Sequence, residues 1–170
     1  APPSSPRSTE AVTQVAPPQS LDTHGYAVVP RAVEHARIDS IASLLAHAPL
    51  DGAGTRRMLD PDWCAALARD LRSMSWLRPH LPDDAVAVQC TAFVKSPERN
   101  WLVSIHQDLS IPVAERVESP ACSGWSEKEG DVFVQPPISV LERMLAVRLH
   151  LDDCHAANGS LRVVPGSHGF

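Results

Sequence analysis

The feature that most constrains this chain is a change of period. Between residues 85 and 153, three stretches alternate apolar and polar side chains every second residue, the repeat of a β-strand with two unlike faces. In AVAVQCTAFVK, residues 85 to 95, one face carries Val86, Val88, Cys90, Ala92 and Val94, and the other carries Gln89, Thr91 and Lys95. In WLVSIHQD, 101 to 108, Trp101, Val103 and Ile105 oppose Ser104, His106 and Asp108. In LAVRLHLDD, 145 to 153, Leu145, Val147, Leu149 and Leu151 oppose Arg148, His150 and Asp152. SLRVVP, 160 to 165, predicts a shorter strand. The polar stripes hold Gln, Thr, Lys, Arg, His and Asp. They lack the Lys/Glu alternation of a solvated face, so an inward, ligand-facing stripe stands beside the plainer reading of a sheet with one wet side.

Ahead of these strands the pattern is different. Residues 1 to 20 contain five prolines and few large apolar side chains, and predict a disordered tail that cannot offset its own ordering entropy. GYAVVP, 25 to 30, reads as a short strand. Ile38, Ile41, Leu44 and Leu45 fall at helical spacing, and a second helix is expected from Asp60-Pro61 with Trp63, Leu67 and Leu71 on one side. Residues 109 to 144 are broken by Gly and Pro. They read as a long loop bordering a site, with GDVFVQ as one extra strand.

With 170 residues, 44% of them hydrophobic, the chain suffices for one domain with a real core. Asp and Glu outnumber Lys and Arg by 20 to 15, and no basic cluster is present to meet phosphate backbones, which argues against a nucleic-acid partner. The four cysteines, Cys64, Cys90, Cys122 and Cys154, form no C-x-x-C pair and read as buried thiols of a reducing compartment. No run of about 18 apolar residues is available for a membrane span and no signal peptide opens the chain, so the expectation is a cytoplasmic protein without a membrane partner. Oligomeric state is not legible.

The His-x-Asp spelling occurs twice, as His106-x-Asp108 and His150-x-Asp152. On a strand, that spacing puts an imidazole and a carboxylate on one face, two of the three donors in a two-histidine, one-carboxylate iron site. Spacing alone does not choose between the pairs. His168 follows the Pro165-Gly166 turn and is placed to hydrogen-bond a loop. A nucleophile elbow, a phosphate-binding glycine loop and a cysteine with an evident base are all missing from the sequence.

Taken in order, CTAFVKSPERNW, NWLVSIHQDLSIPV and VRLHLDDCHAANGSLRVVPGSH resemble the phytanoyl-CoA dioxygenase family of Fe(II)- and 2-oxoglutarate-dependent oxygenases, over roughly residues 22 to 170. The resemblance implies a mainly β fold with N-terminal helices, a double-stranded β-helix or cupin-like jelly roll. It selects His106 and Asp108 as iron ligands. It implies contacts to 2-oxoglutarate from Lys95, Thr91 and Arg148, and a substrate contact from Gln89, with a small organic substrate and O₂ as reactants. In the family a second iron-binding histidine, and an arginine for the far carboxylate, lie on later strands beyond the PGSH turn. The expectation is therefore a truncated or partial jelly roll, either an oxygenase that releases succinate and CO₂ or an inactive remnant that at most binds a partner. Whether His150 or His168 stands in for the later histidine is left open.

Overall fold

The computed structural model describes residues 17–48, 54–95, 103–155, 158 and 160–169. It divides into two compact units, one built from the described residues up to Ala32 together with Arg162 onward, the other from Val33 to Leu161. In the first unit, helix α1 (Pro17–His24) closes with the Gly25 N–H on the Leu21 carbonyl at 2.9 Å. The Gly166 N–H reaches the His24 carbonyl at 2.9 Å, and His168 packs against Gly25. The first 16 residues of the proposed tail lie outside the described residues, and Pro17 opens α1. GYAVVP is not a strand.

The second unit carries the site residues. Helix α2 (His35–Ala46) buries Ile41 and directs Leu45 to the core, as the spacing predicts, while Leu44 stays exposed. Helix α3 (Asp62–Ser73) begins two residues after Asp60. The Asp60 carboxylate, expected as the cap, instead accepts the Arg57 Nε–H at 2.9 Å, and extended Pro61 takes the cap position. Asp62 in the first turn and Arg72 in the last suit the helix dipole. An Arg37–Asp70 ion pair joins α2 to α3. Met58, Cys64 and Ala92 form a buried cluster against which Leu45, Trp63 and Cys90 pack.

Two small antiparallel sheets complete the unit. Strand β1 (Gly54–Thr55) pairs with β2 (Ala92–Phe93), and a separate parallel bridge joins Arg57 to Cys90. The other sheet has the order β3 (Ile111–Val113), β5 (Asp131–Gln135), β4 (Ser123–Lys128). Central β5 buries Phe133 and Val134, each 2% exposed. Pro112 is tolerated because β3 is an edge strand. Glu129 and Gly130 join β4 to β5 with φ of 56° and 86°, the two positive angles of a tight hairpin turn. A single turn, α4 (Ile138–Leu141), follows.

Helices are few and the sheets are antiparallel, which agrees with a mainly β fold; a complete jelly roll is not among the described residues. Three expectations are corrected. Residues 109 to 144 are no single loop, since β3, β4, β5 and α4 all lie within them; only GDVFVQ was anticipated, as β5. Described residues 103–108 and 145–153 and the SLRVVP segment belong to no strand, and the strand of 85–95 shrinks to β2. Alternation fixes which face a strand offers, whereas a ladder needs a neighbour that only the tertiary fold supplies. Where pairing does occur the alternation holds, for Ala92 is buried and Phe93 exposed. Trp101 lies outside the described residues.

Candidate metal and ligand site

The two His-x-Asp pairs have different surroundings. In the first, His106 Nδ1 lies 2.8 Å from the Ser104 carbonyl oxygen, to which it donates, and Nε2 lies 3.4 Å from Asp108 Oδ1. Donation from Nδ1 fixes the tautomer of the neutral ring and leaves the Nε2 lone pair turned to the carboxylate, the orientation that serves metal-ligating histidines. The Ser104 carbonyl, and after it the Asp108 charge, raise the His106 pKa above its ordinary value. In the second pair, His150 Nδ1 sits 3.0 Å from Cys154 Sγ, so its ring is engaged by a thiol. Local geometry thus separates two motifs that are identical in spelling.

Donors at about 2.0–2.2 Å from one ion, on adjacent corners of its coordination shell, stand roughly 3 Å apart. The 3.4 Å between His106 Nε2 and Asp108 Oδ1 is close to that span, and a neutral imidazole with an ionised carboxylate is the right donor chemistry. The pair fits two donors of an iron site. Among the described residues, no group of three His, Cys, Asp or Glu side chains is assembled to hold a metal. Both side chains are open to solvent, Asp108 at 97% exposure.

Of the other residues singled out from the sequence, Gln89, Thr91 and Lys95 lie along the segment entering and leaving β2. Gln89 Nε2 donates to Thr91 Oγ1 at 2.8 Å, so these two side chains are brought together. Lys95 is exposed just beyond β2 and is engaged in a contact of its own. The Arg148 guanidinium lies over the Phe93 ring at 5.9 Å, which sets it beside the same stretch of chain.

Sequence reading missed the cleft next to this segment. It is an open cavity of about 350 Å³ lined by Arg56, Arg57, Gln89, Val113, Asp131 and Phe133, among others. Its Arg56 and Arg57 belong to an electrostatic lattice. Glu129 accepts hydrogen bonds from Thr55 Oγ1 at 2.7 Å, from the Arg56 N–H at 3.0 Å and from the Arg56 guanidinium at 2.8 Å, and these donors hold its carboxyl down at about 2. Arg57 donates to Asp60 and to the Glu129 carbonyl, and its proton is held more tightly than usual by Asp60 first, then by Asp131. The only sequence signal was the Arg56-Arg57 doublet, and a doublet says nothing of a partner in a distant hairpin.

Among the described residues no helix is long and apolar enough to cross a membrane. No curated protein and no solved structure matches the chain. A family model, that of phytanoyl-CoA dioxygenase (PhyH), matches residues 21–169, nearly the whole chain, and the protein belongs to this family of dioxygenases.

Proposed function

We propose that this protein is a non-haem Fe(II)- and 2-oxoglutarate-dependent dioxygenase that hydroxylates a small organic substrate, with O₂ as oxidant and succinate and CO₂ as by-products. Membership of the family supports the reading. The observation that carries it is the His106–Asp108 pair, with one ring nitrogen anchored on Ser104 and the other facing the carboxylate at 3.4 Å.

In this proposal His106 and Asp108 are two of the iron donors, and no third is assigned among the described residues. When bound, Fe(II) and 2-oxoglutarate together supply the oxidising power that places one oxygen atom of O₂ into a C–H bond. The rest falls to side chains. Lys95 and Arg148 offer the cationic charge that a carboxylate of 2-oxoglutarate needs, and Thr91 a hydroxyl donor. Gln89 borders the cleft and contacts the substrate, its Nε2 steadied by Thr91. A cleft of about 350 Å³ suits a small molecule. The fold in this proposal is the cupin-like jelly roll of the family.

The exposure of Asp108 favours one other reading, a family member that binds ligands without turnover. Anaerobic titration with Fe(II) in the presence of 2-oxoglutarate separates the two. A visible charge-transfer band, followed by succinate on admitting air, and the loss of both in His106→Ala and Asp108→Ala, is the expected result. Absence of the band in the wild-type chain favours the second reading.

A further inference from the structure

Cys64 and Cys90 are 26 residues apart in sequence, yet their sulfurs are 3.5 Å apart, with the Cys64 S–H directed at Cys90 Sγ. Cys64 is buried on α3 at 3% exposure, and half-buried Cys90 lies on the segment entering β2. Their surroundings are apolar, formed by Met58, Ala92, Leu45 and Trp63. All four cysteines are free thiols. The other two differ from this pair, for Cys154 is exposed and engages His150, and Cys122 is half-buried.

We propose that Cys64 and Cys90 are a redox-active dithiol which a peroxide, acting as a two-electron oxidant, converts to a disulfide. Each sulfur has its own part. Burial, and after it the neighbouring Cys90, push the Cys64 thiol up to about 12, so Cys64 keeps its proton. Cys90 is the more accessible sulfur. As its thiolate, Cys90 attacks one peroxide oxygen, the O–O bond breaks, and Cys90 becomes a sulfenic acid while the other oxygen leaves as hydroxide and is protonated to water. The Cys64 sulfur then attacks Cys90 Sγ, the S–O bond breaks, and the Cys64 proton departs with the hydroxide as a second water. Two thiols have lost two hydrogens and one peroxide has become two waters. Contact between the sulfurs gives the second step the proximity that makes it effectively unimolecular.

The modification also reaches the ligand site. A disulfide is about 2.05 Å long, so the sulfurs must approach by about 1.5 Å, and Cys90 is flanked by Gln89 and Thr91. Oxidation therefore draws the Gln89–Thr91 pair toward α3 and weakens ligand binding there. This consequence rests on the oxygenase reading. Formation of the disulfide does not.

The test treats the metal-free chain with hydrogen peroxide and maps its peptides without reduction. The expected result is a peptide pair joining Cys64 to Cys90, a loss of two hydrogens in the intact mass, reversal by dithiothreitol, and a higher melting temperature of the oxidised form. In Cys64→Ala, checked for native circular dichroism, Cys90 accumulates a sulfenic acid that dimedone traps. Oxidation confined to Cys122 and Cys154, or a 64–90 link that appears only in urea, overturns the proposal. Binding of 2-oxoglutarate with Fe(II) to the two forms is then compared, with a loss of about tenfold expected on oxidation, the scale set by ångström displacements of positioning groups. A link without that loss overturns the tether alone. If the reduced chain shows no iron band at all, the oxygenase reading fails while the mapping still decides the dithiol.

Discussion

Arg56 and Glu129 are 73 residues apart in sequence, and Glu129 accepts hydrogen bonds from both the backbone N–H and the guanidinium of Arg56. With Thr55 as a third donor, this clamp ties the β4–β5 hairpin to β1 and holds Arg56, which lines the cleft. It also accounts for a costly choice of residue, because Glu129 holds a left-handed φ of 56°, at a turn position that Asn or Gly occupies more readily.

The clamp predicts an acid-sensitive contribution to stability. The Glu129 carboxyl is lowered from 4.5 to about 2 in the folded chain, so the unfolded chain takes up the proton first. Its contribution is present above about pH 4.5 and is lost as the pH falls toward about 2. Thermal melts across that range should show Glu129→Gln to be less stable than wild type above pH 4.5, with the two curves converging at the acid end.

Two glycines should respond unequally to substitution. Gly54 has φ of 130°, and a Cβ there would lie 1.9 Å from the Ala92 carbonyl oxygen, across the β1–β2 ladder. At Gly130 the nearest atom to a new Cβ is Arg57 Nη1 at 3.6 Å. In urea titrations Gly54→Ala should therefore cost about 3 kcal/mol or more, from overpacking added to backbone strain, and Gly130→Ala about 1 kcal/mol from strain alone.

Burial divides the large apolar residues just as sharply. Phe133 is 2% exposed in the middle strand of its sheet, under the Lys128 ammonium at 4.5 Å. Phe133→Ala should cost about 3–5 kcal/mol in urea titrations. Ile105, between Ser104 and His106 in sequence, is 90% exposed, and Ile105→Ala should change stability by less than about 0.5 kcal/mol.

The His106 ring should titrate above an ordinary histidine, followed by NMR of its ring protons in the metal-free chain. Asp108→Asn should lower that pKa only in part, since the Ser104 carbonyl is the larger cause and survives the substitution. The sign sets the pH window for a metal ion, for protons compete for Nε2 at and below the raised pKa, and affinity should fall as the pH drops through it.

Much of this was written in local sequence. Ile38, Ile41 and Leu45 announced the buried face of α2, GDVFVQ announced β5, and the even face of 85–95 named Cys90 and Ala92, the members that reach the core. The His106-x-Asp108 pair was legible because two donors a strand repeat apart require only local backbone geometry to meet. Two of the four cysteines, read alike as buried thiols, prove half-buried and a third exposed. Composition has no means of ranking them.

What only the tertiary structure decided was pairing. Sequence spelled His106-x-Asp108 and His150-x-Asp152 alike, and the fold turned one ring to a carboxylate and the other to Cys154. It joined Arg56 to Glu129 and Cys64 to Cys90, and it left the stripe of 145–153 in no strand. The physical reason is common to all of these. Period and propensity act over a few residues, whereas a ladder, an ion pair or a thiol contact is set by which distant segments the packing brings within about 3–4 Å.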